Sequence, residues 1–116
     1  MTRDQDMLRL KKMLGAHRVL LDRVIELADM PGHDRVLQRM LDTKADMARC
    51  YLRRLEATLK RPVFHPTHGD LGTWGENGLA PTIRDLAKSA EFQVANRQRL
   101  AWEFKQIGKD RGQVAA

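Results

Sequence analysis

Apolar residues along the first thirty positions recur at steps of three and four: Met7, Leu10, Leu14, His17, Leu21, Val24 and Ala28, with Met13, Leu20 and Leu27 widening the seam. The spacing predicts one long helix over residues 1–30, capped by Thr2 or Asp4, with Asp4 and Asp6 near the positive end of its dipole. His17 holds a seam position where an aliphatic side chain is the usual occupant, and reads as a histidine hydrogen-bonded within a core or interface. Met30-Pro31-Gly32 breaks the pattern, since proline disfavours a helical residue before it and glycine permits a turn. A second helix is predicted over 33–61, opened by His33 or Asp34. Val36, Leu37, Met40, Leu41, Met47, Ala48, Tyr51, Leu52, Leu55 and Leu59 form its apolar face. A turn this short between two long helices predicts an antiparallel hairpin.

Residues 62–80 change character. Pro62, Pro66 and glycines at 69, 72, 75 and 78 cannot sustain a regular helix, so the segment reads as a long loop. Val63, Phe64, Leu71, Trp74 and Leu79 give it apolar anchors, and Trp74 is expected to pack against the hairpin. A third helix is predicted from Pro81 to Gly108, with a weaker apolar face of Ile83, Leu86, Ala87, Ala90, Val94, Ala101, Phe104 and Ile107, and after it a frayed basic tail over 109–116. The expected fold is all-α: a small helical bundle in a single domain over 1–116, made of a long antiparallel hairpin with a third helix laid across it and a Gly/Pro-rich loop between helices 2 and 3.

The charge balance adds a second theme. The chain carries 21 basic and 15 acidic residues, a net charge of +6. Residues 31–62 hold eight basic and four acidic groups, two-thirds of the excess. Arg49, Arg53, Arg54, Lys60 and Arg61 make a basic strip along the second helix, which reads first as a solvated face and second as a weak contact for nucleic-acid phosphates or an acidic protein. Asp42, Asp46 and Glu56 interrupt its field. No apolar run approaches the roughly 20 residues that cross a bilayer, and no signal-type stretch opens the chain, so no membrane role and a cytoplasmic location are expected. The single cysteine, Cys50, is expected to be a buried, reduced thiol.

Candidate chemistry is sparse. His65, His68 and Asp70 are the best metal-ligating types, but they make at most three ligands in a spacing with no specific signature, so no metal or other cofactor is expected. No glutamate has a histidine three residues after it, as di-iron bundles require, and the only serine, Ser89, lies inside a predicted helix. The glycines at three-residue intervals lack both Gly-x-Gly and a subsequent lysine, and so do not form a phosphate cradle. No catalytic residue is identified, and the chain is expected not to be an enzyme.

Pro81-Thr82-Ile83-Arg84-Asp85-Leu86-Ala87 resembles the first element of the helix-turn-helix in SOS-repressor-type winged-helix proteins. The resemblance covers seven residues and implies a DNA-facing role for Asn96, Arg97 and Arg99. From Lys88 onward the pattern continues helically without the turn of that family, and no wing comes after it.

The favoured expectation is a non-enzymatic protein-interaction module, a small cytoplasmic regulator, inhibitor or adaptor that docks on a partner protein or on a second copy through apolar helical faces. The seam from Met7 to Ala28 is roughly 32 Å long, more than one neighbour covers, so Met13, Leu20, Leu27 and Trp74 are the candidate partner-binding residues. The alternative is a small basic DNA-binding transcriptional regulator, and the third a metal- or ligand-binding bundle.

Overall fold

The computed structural model describes residues 2–64 and 69–115, with side chains up to Lys109. Four helices occur in order: α1 (Arg3–Asp29), α2 (Arg35–Lys60), the short α3 (Gly69–Trp74) and α4 (Ala80–Ala115). The fold is an all-α helical bundle, as the periodicity predicts. Both expected starts are capped by local chemistry. Thr2 accepts from the Gln5 backbone N–H while the Gln5 side chain accepts from the Thr2 N–H, and Asp34 accepts from the Leu37 N–H. Gly32, at φ +91°, makes the turn between α1 and α2.

Cross-links between helices fix their directions. Gln38 donates to the Ala28 carbonyl and Arg18 pairs with Glu56, so α2 returns antiparallel to α1. Arg23 pairs with Glu91 at 2.8 Å and Arg97 with Asp34 at 3.4 Å, so α4 runs parallel to α1 and reaches the hairpin turn near Arg97. The third long helix therefore lies alongside α1 rather than across the hairpin. Leu10, Leu14, Leu21, Val24 and Leu27 of α1, Leu37, Leu41, Ala45, Ala48 and Leu55 of α2, and Ile83, Leu86, Ala87, Ala90 and Val94 of α4 form one core. Val36, Met40, Met47 and Leu59, placed on the α2 core face by spacing, fall on its exposed flank.

Two predicted boundaries are corrected. The 62–80 loop contains the helix α3, whose burial of Trp74 supplies the energy to order it. The helix expected to stop at Gly108 continues to Ala115, taking up the predicted tail, since glycine in a helix interior costs only about 1 kcal/mol relative to alanine and does not by itself end the helix.

The molecule is 75 Å long and 22 by 17 Å across, with a radius of gyration of 20.1 Å. A compact chain of this size has a radius near ~13 Å. The 27 residues of α1 span only about 40 Å. The difference is α4: Gln98 and Ala101 still border the hairpin turn at Met30–Asp34, and beyond Ala101 the remaining 14 residues run past it for about 21 Å.

Candidate protein-docking surface

The four predicted partner-binding residues divide by burial. Leu27 is 1% exposed, and Trp74 likewise, so neither offers surface to a partner in the folded chain. The reason is that α4, although its apolar face is the weakest of the three, runs along α1 and closes the seam that α2 leaves open. Leu20 and Met13 are half-buried against the core. Met13 keeps an outward side in a shallow groove lined by Arg9, Lys12, Leu71, Gly75 and Glu76.

Trp74 is the pin of the α3 segment. Its indole N–H donates to the Thr58 hydroxyl at 3.2 Å, and its ring meets the His17 imidazole at a centroid distance of 5.9 Å with a 37° tilt. The turn after it is tight: a Cβ at Gly78 would land on the carbonyl oxygens of Thr73 and Gly72. This explains one of the four spaced glycines by close packing around Trp74. The Asp70 carboxylate accepts a hydrogen bond from the Val63 backbone N–H, and the Asp70 N–H donates to the Val63 carbonyl, closing the base of the loop.

His17 is buried in the seam, as its position implies, but the expected hydrogen bond is missing at Nδ1, which has no partner among the described residues. Burial lowers its pKa below the ordinary histidine value. The Arg84 guanidinium adds to that effect and the Glu76 carboxylate opposes it. Arg84 and Glu76 form a two-pronged ion pair at 2.7 Å that spans the α3–α4 turn and holds the Glu76 carboxyl below its usual range.

The basic strip of Arg49, Arg53, Arg54, Lys60 and Arg61 is exposed along α2. Arg49 pairs with Asp46, and Arg53 donates to the Cys50 sulfur. Cys50 is exposed rather than buried, because it lies on the same outward face as these arginines. The helix-turn-helix resemblance fails structurally: residues 81–87 and Asn96, Arg97 and Arg99 belong to one uninterrupted helix, without the turn that would seat a recognition helix. Arg97 is tied to Asp34 and Arg99 to Asn96. Of the candidate metal residues, His65 and His68 lie outside the described residues. Among the described residues no three His, Cys, Asp or Glu side chains gather, and no helix is long and apolar enough to cross a membrane.

The apolar surface that sequence reasoning missed is the overhanging end of α4. Trp102 is 61% exposed, Phe104 69% and Ile107 47%. Leu100, Phe104 and Ile107 obey the i, i+4, i+7 rule and share one side, while Trp102 lies on the other. Phe104 and Ile107 belong to the weak apolar face read from the sequence; Leu100 and Trp102 were not placed on it. The available signal was that the face continued past the length of hairpin able to cover it. Among known proteins nothing matches this chain: no family model, no curated protein and no solved structure.

Proposed function

We propose that the chain is a non-enzymatic protein-interaction module, a small cytoplasmic regulator, inhibitor or adaptor that docks through an apolar helical face. The observation that carries this reading is the end of α4. A helix leaves the bundle and presents Trp102, Phe104 and Ile107 to water where its own hairpin no longer covers it, with Leu100 half-buried at the edge. Helical ligands that enter grooves are recognised by anchors at i, i+3, i+4 and i+7, and Leu100, Phe104 and Ile107 supply three such positions in sequence. Each buries apolar area worth about 1.5–3 kcal/mol when fully covered. The docking face of this reading is the overhang, not the α1 seam that sequence alone points to.

A photo-crosslinking amino acid placed at Phe104 of the full chain, expressed in its source cells, tests the reading. A discrete protein adduct is expected at Phe104 and not at Asp42 on the exposed face of α2. Equal, diffuse labelling at both positions would remove the docking role.

A further inference from the structure

We infer that the overhang of α4 is covered by a second copy of this chain, paired antiparallel about Phe104. The inference rests on the docking reading and names its partner. Three observations lead there.

The overhang continues a seam that is packed everywhere else. Ile83, Leu86, Ala90 and Val94 face α1 and α2, and the same helix carries Phe104 and Ile107 past the turn at Met30–Asp34, with Leu100 half-buried at its edge. What covered the first half was a helix, and a helix of the same kind fits the second half.

The triad is nearly palindromic. Leu100 lies four residues before Phe104 and Ile107 three after it. Two antiparallel copies related by a twofold axis through Phe104 therefore lay Phe104 on Phe104 and Leu100 on Ile107, twice. A twofold interface must be self-complementary in this way, and most small homo-oligomers are twofold dimers. The bundle end from which each α4 departs also exposes Met30 and Val36. An antiparallel partner's tip runs toward that end.

The overhang is also poorly made to stand alone. Fourteen residues, with glycines at 108 and 112, form a marginal helix in water, since glycine disfavours the helix and isolated helices near this length are barely stable. Open space surrounds Gly108, where an added Cβ would meet nothing within 4 Å of its own chain, so the glycine is not required by internal packing. A bare surface there instead allows another backbone to come close.

The area sets the strength. Phenylalanine buries about 150–250 Å² when covered. With leucine, isoleucine and the flanking chain from both copies, the contact reaches about 1,000 Å² in total, the lower edge of a specific interface. The dimer is thus reversible, with dissociation in the micromolar range. Charge opposes it slightly: residues 102–115 hold three basic and two acidic groups, so two overhangs repel weakly and salt should strengthen their pairing.

Sedimentation equilibrium of the full chain from low to high micromolar concentration reads the outcome. A reversible monomer–dimer equilibrium is expected, tightening with added salt. Phe104→Glu should weaken it at least tenfold, Phe104→Leu should largely restore it, and Trp102→Glu, on the opposite side, should leave it intact. In a Cys50→Ser background, Phe104→Cys should cross-link to a covalent dimer on oxidation while Trp102→Cys should not. A chain that stays monomeric at high micromolar concentration overturns the inference. So does a dimer lost in Leu20→Glu but kept in Phe104→Glu. If that monomer still forms a Phe104 photo-adduct with a different protein, self-pairing fails and the docking reading stands.

Discussion

Replacing Trp74 by alanine tests whether the α3 segment is pinned by one side chain. Trp74 is 1% exposed, meets the His17 ring and donates to Thr58. Truncating a buried aromatic to alanine costs about 3–5 kcal/mol, a large part of the roughly 5–15 kcal/mol that holds a small domain together. The hydrogen bond is the minor share. Thr58 keeps its own bond to the Arg54 carbonyl, so Trp74→Phe should lose only the net value of one neutral bond, about 0.5–1.5 kcal/mol, plus the smaller ring's missing contacts. The loss should also be local. Among the described residues between α2 and α4, Trp74 of α3 is the buried anchor, whereas α1, α2 and α4 share the rest of the core. Trp74→Ala should therefore speed limited proteolysis between Arg61 and Leu79 severalfold while far-UV circular dichroism changes little. Trp74→Phe should be intermediate. In a Trp102→Phe background, the remaining indole emission should be that of a buried ring and shift to the red in low urea before helicity falls. Equal cleavage of wild type and Trp74→Ala would refute the pinning of α3 by this residue.

Acid should weaken the fold through His17. Its folded pKa is lowered by burial, so between the ordinary histidine value near 6.5 and that lower value the unfolded chain binds the extra proton; stability falls as pH drops across this window and levels off below it, and His17→Leu should flatten that limb of the urea midpoint against pH. Leu27→Glu should cost at least the about 2–5 kcal/mol of a buried leucine truncation and unfold much of the chain, whereas Leu20→Glu, at a half-buried position, should cost about 1–2 kcal/mol; equal melting temperatures would contradict the burial difference. The basic strip should bind duplex DNA weakly and without sequence preference at about 10 µM or weaker at physiological salt, and anisotropy titrations showing tight, selective binding would restore the DNA-binding reading.

The parts of this fold legible in the sequence are those fixed within a few residues. Helical seams repeat every three or four positions, Thr2 and Asp34 cap the helices they precede, and Pro31-Gly32 turns the chain. Leu10, Leu14, Leu21 and Val24 are core residues for that reason. What spacing cannot give is the offset between helices far apart in sequence. Whether Leu27 faces solvent or core depends on which α4 residues lie beside it, and helix neighbours here are far apart in sequence, Arg23 and Glu91 by 68 positions. Gly108 misleads for a related reason: the same residue ends a helix or sits inside one, and only its surroundings decide.

The offset is what creates the exposed face. Thr58 and His17 hold Trp74 near the middle of α1, and the tight turn at Gly78 starts α4 within six residues of that pin. From there α4 runs parallel to α1 and meets the hairpin turn between Arg97 and Ala101, so the last 14 residues of a 36-residue helix run past it. From sequence the seam expected to outrun its neighbours is that of α1; in the structure it is α4 that outruns the hairpin. α1 has three helices around it, and its seam from Leu10 to Ala28 is covered. α4 begins halfway along its support and outruns it, and the large apolar side chains it carries past the end, Trp102, Phe104 and Ile107, stay exposed.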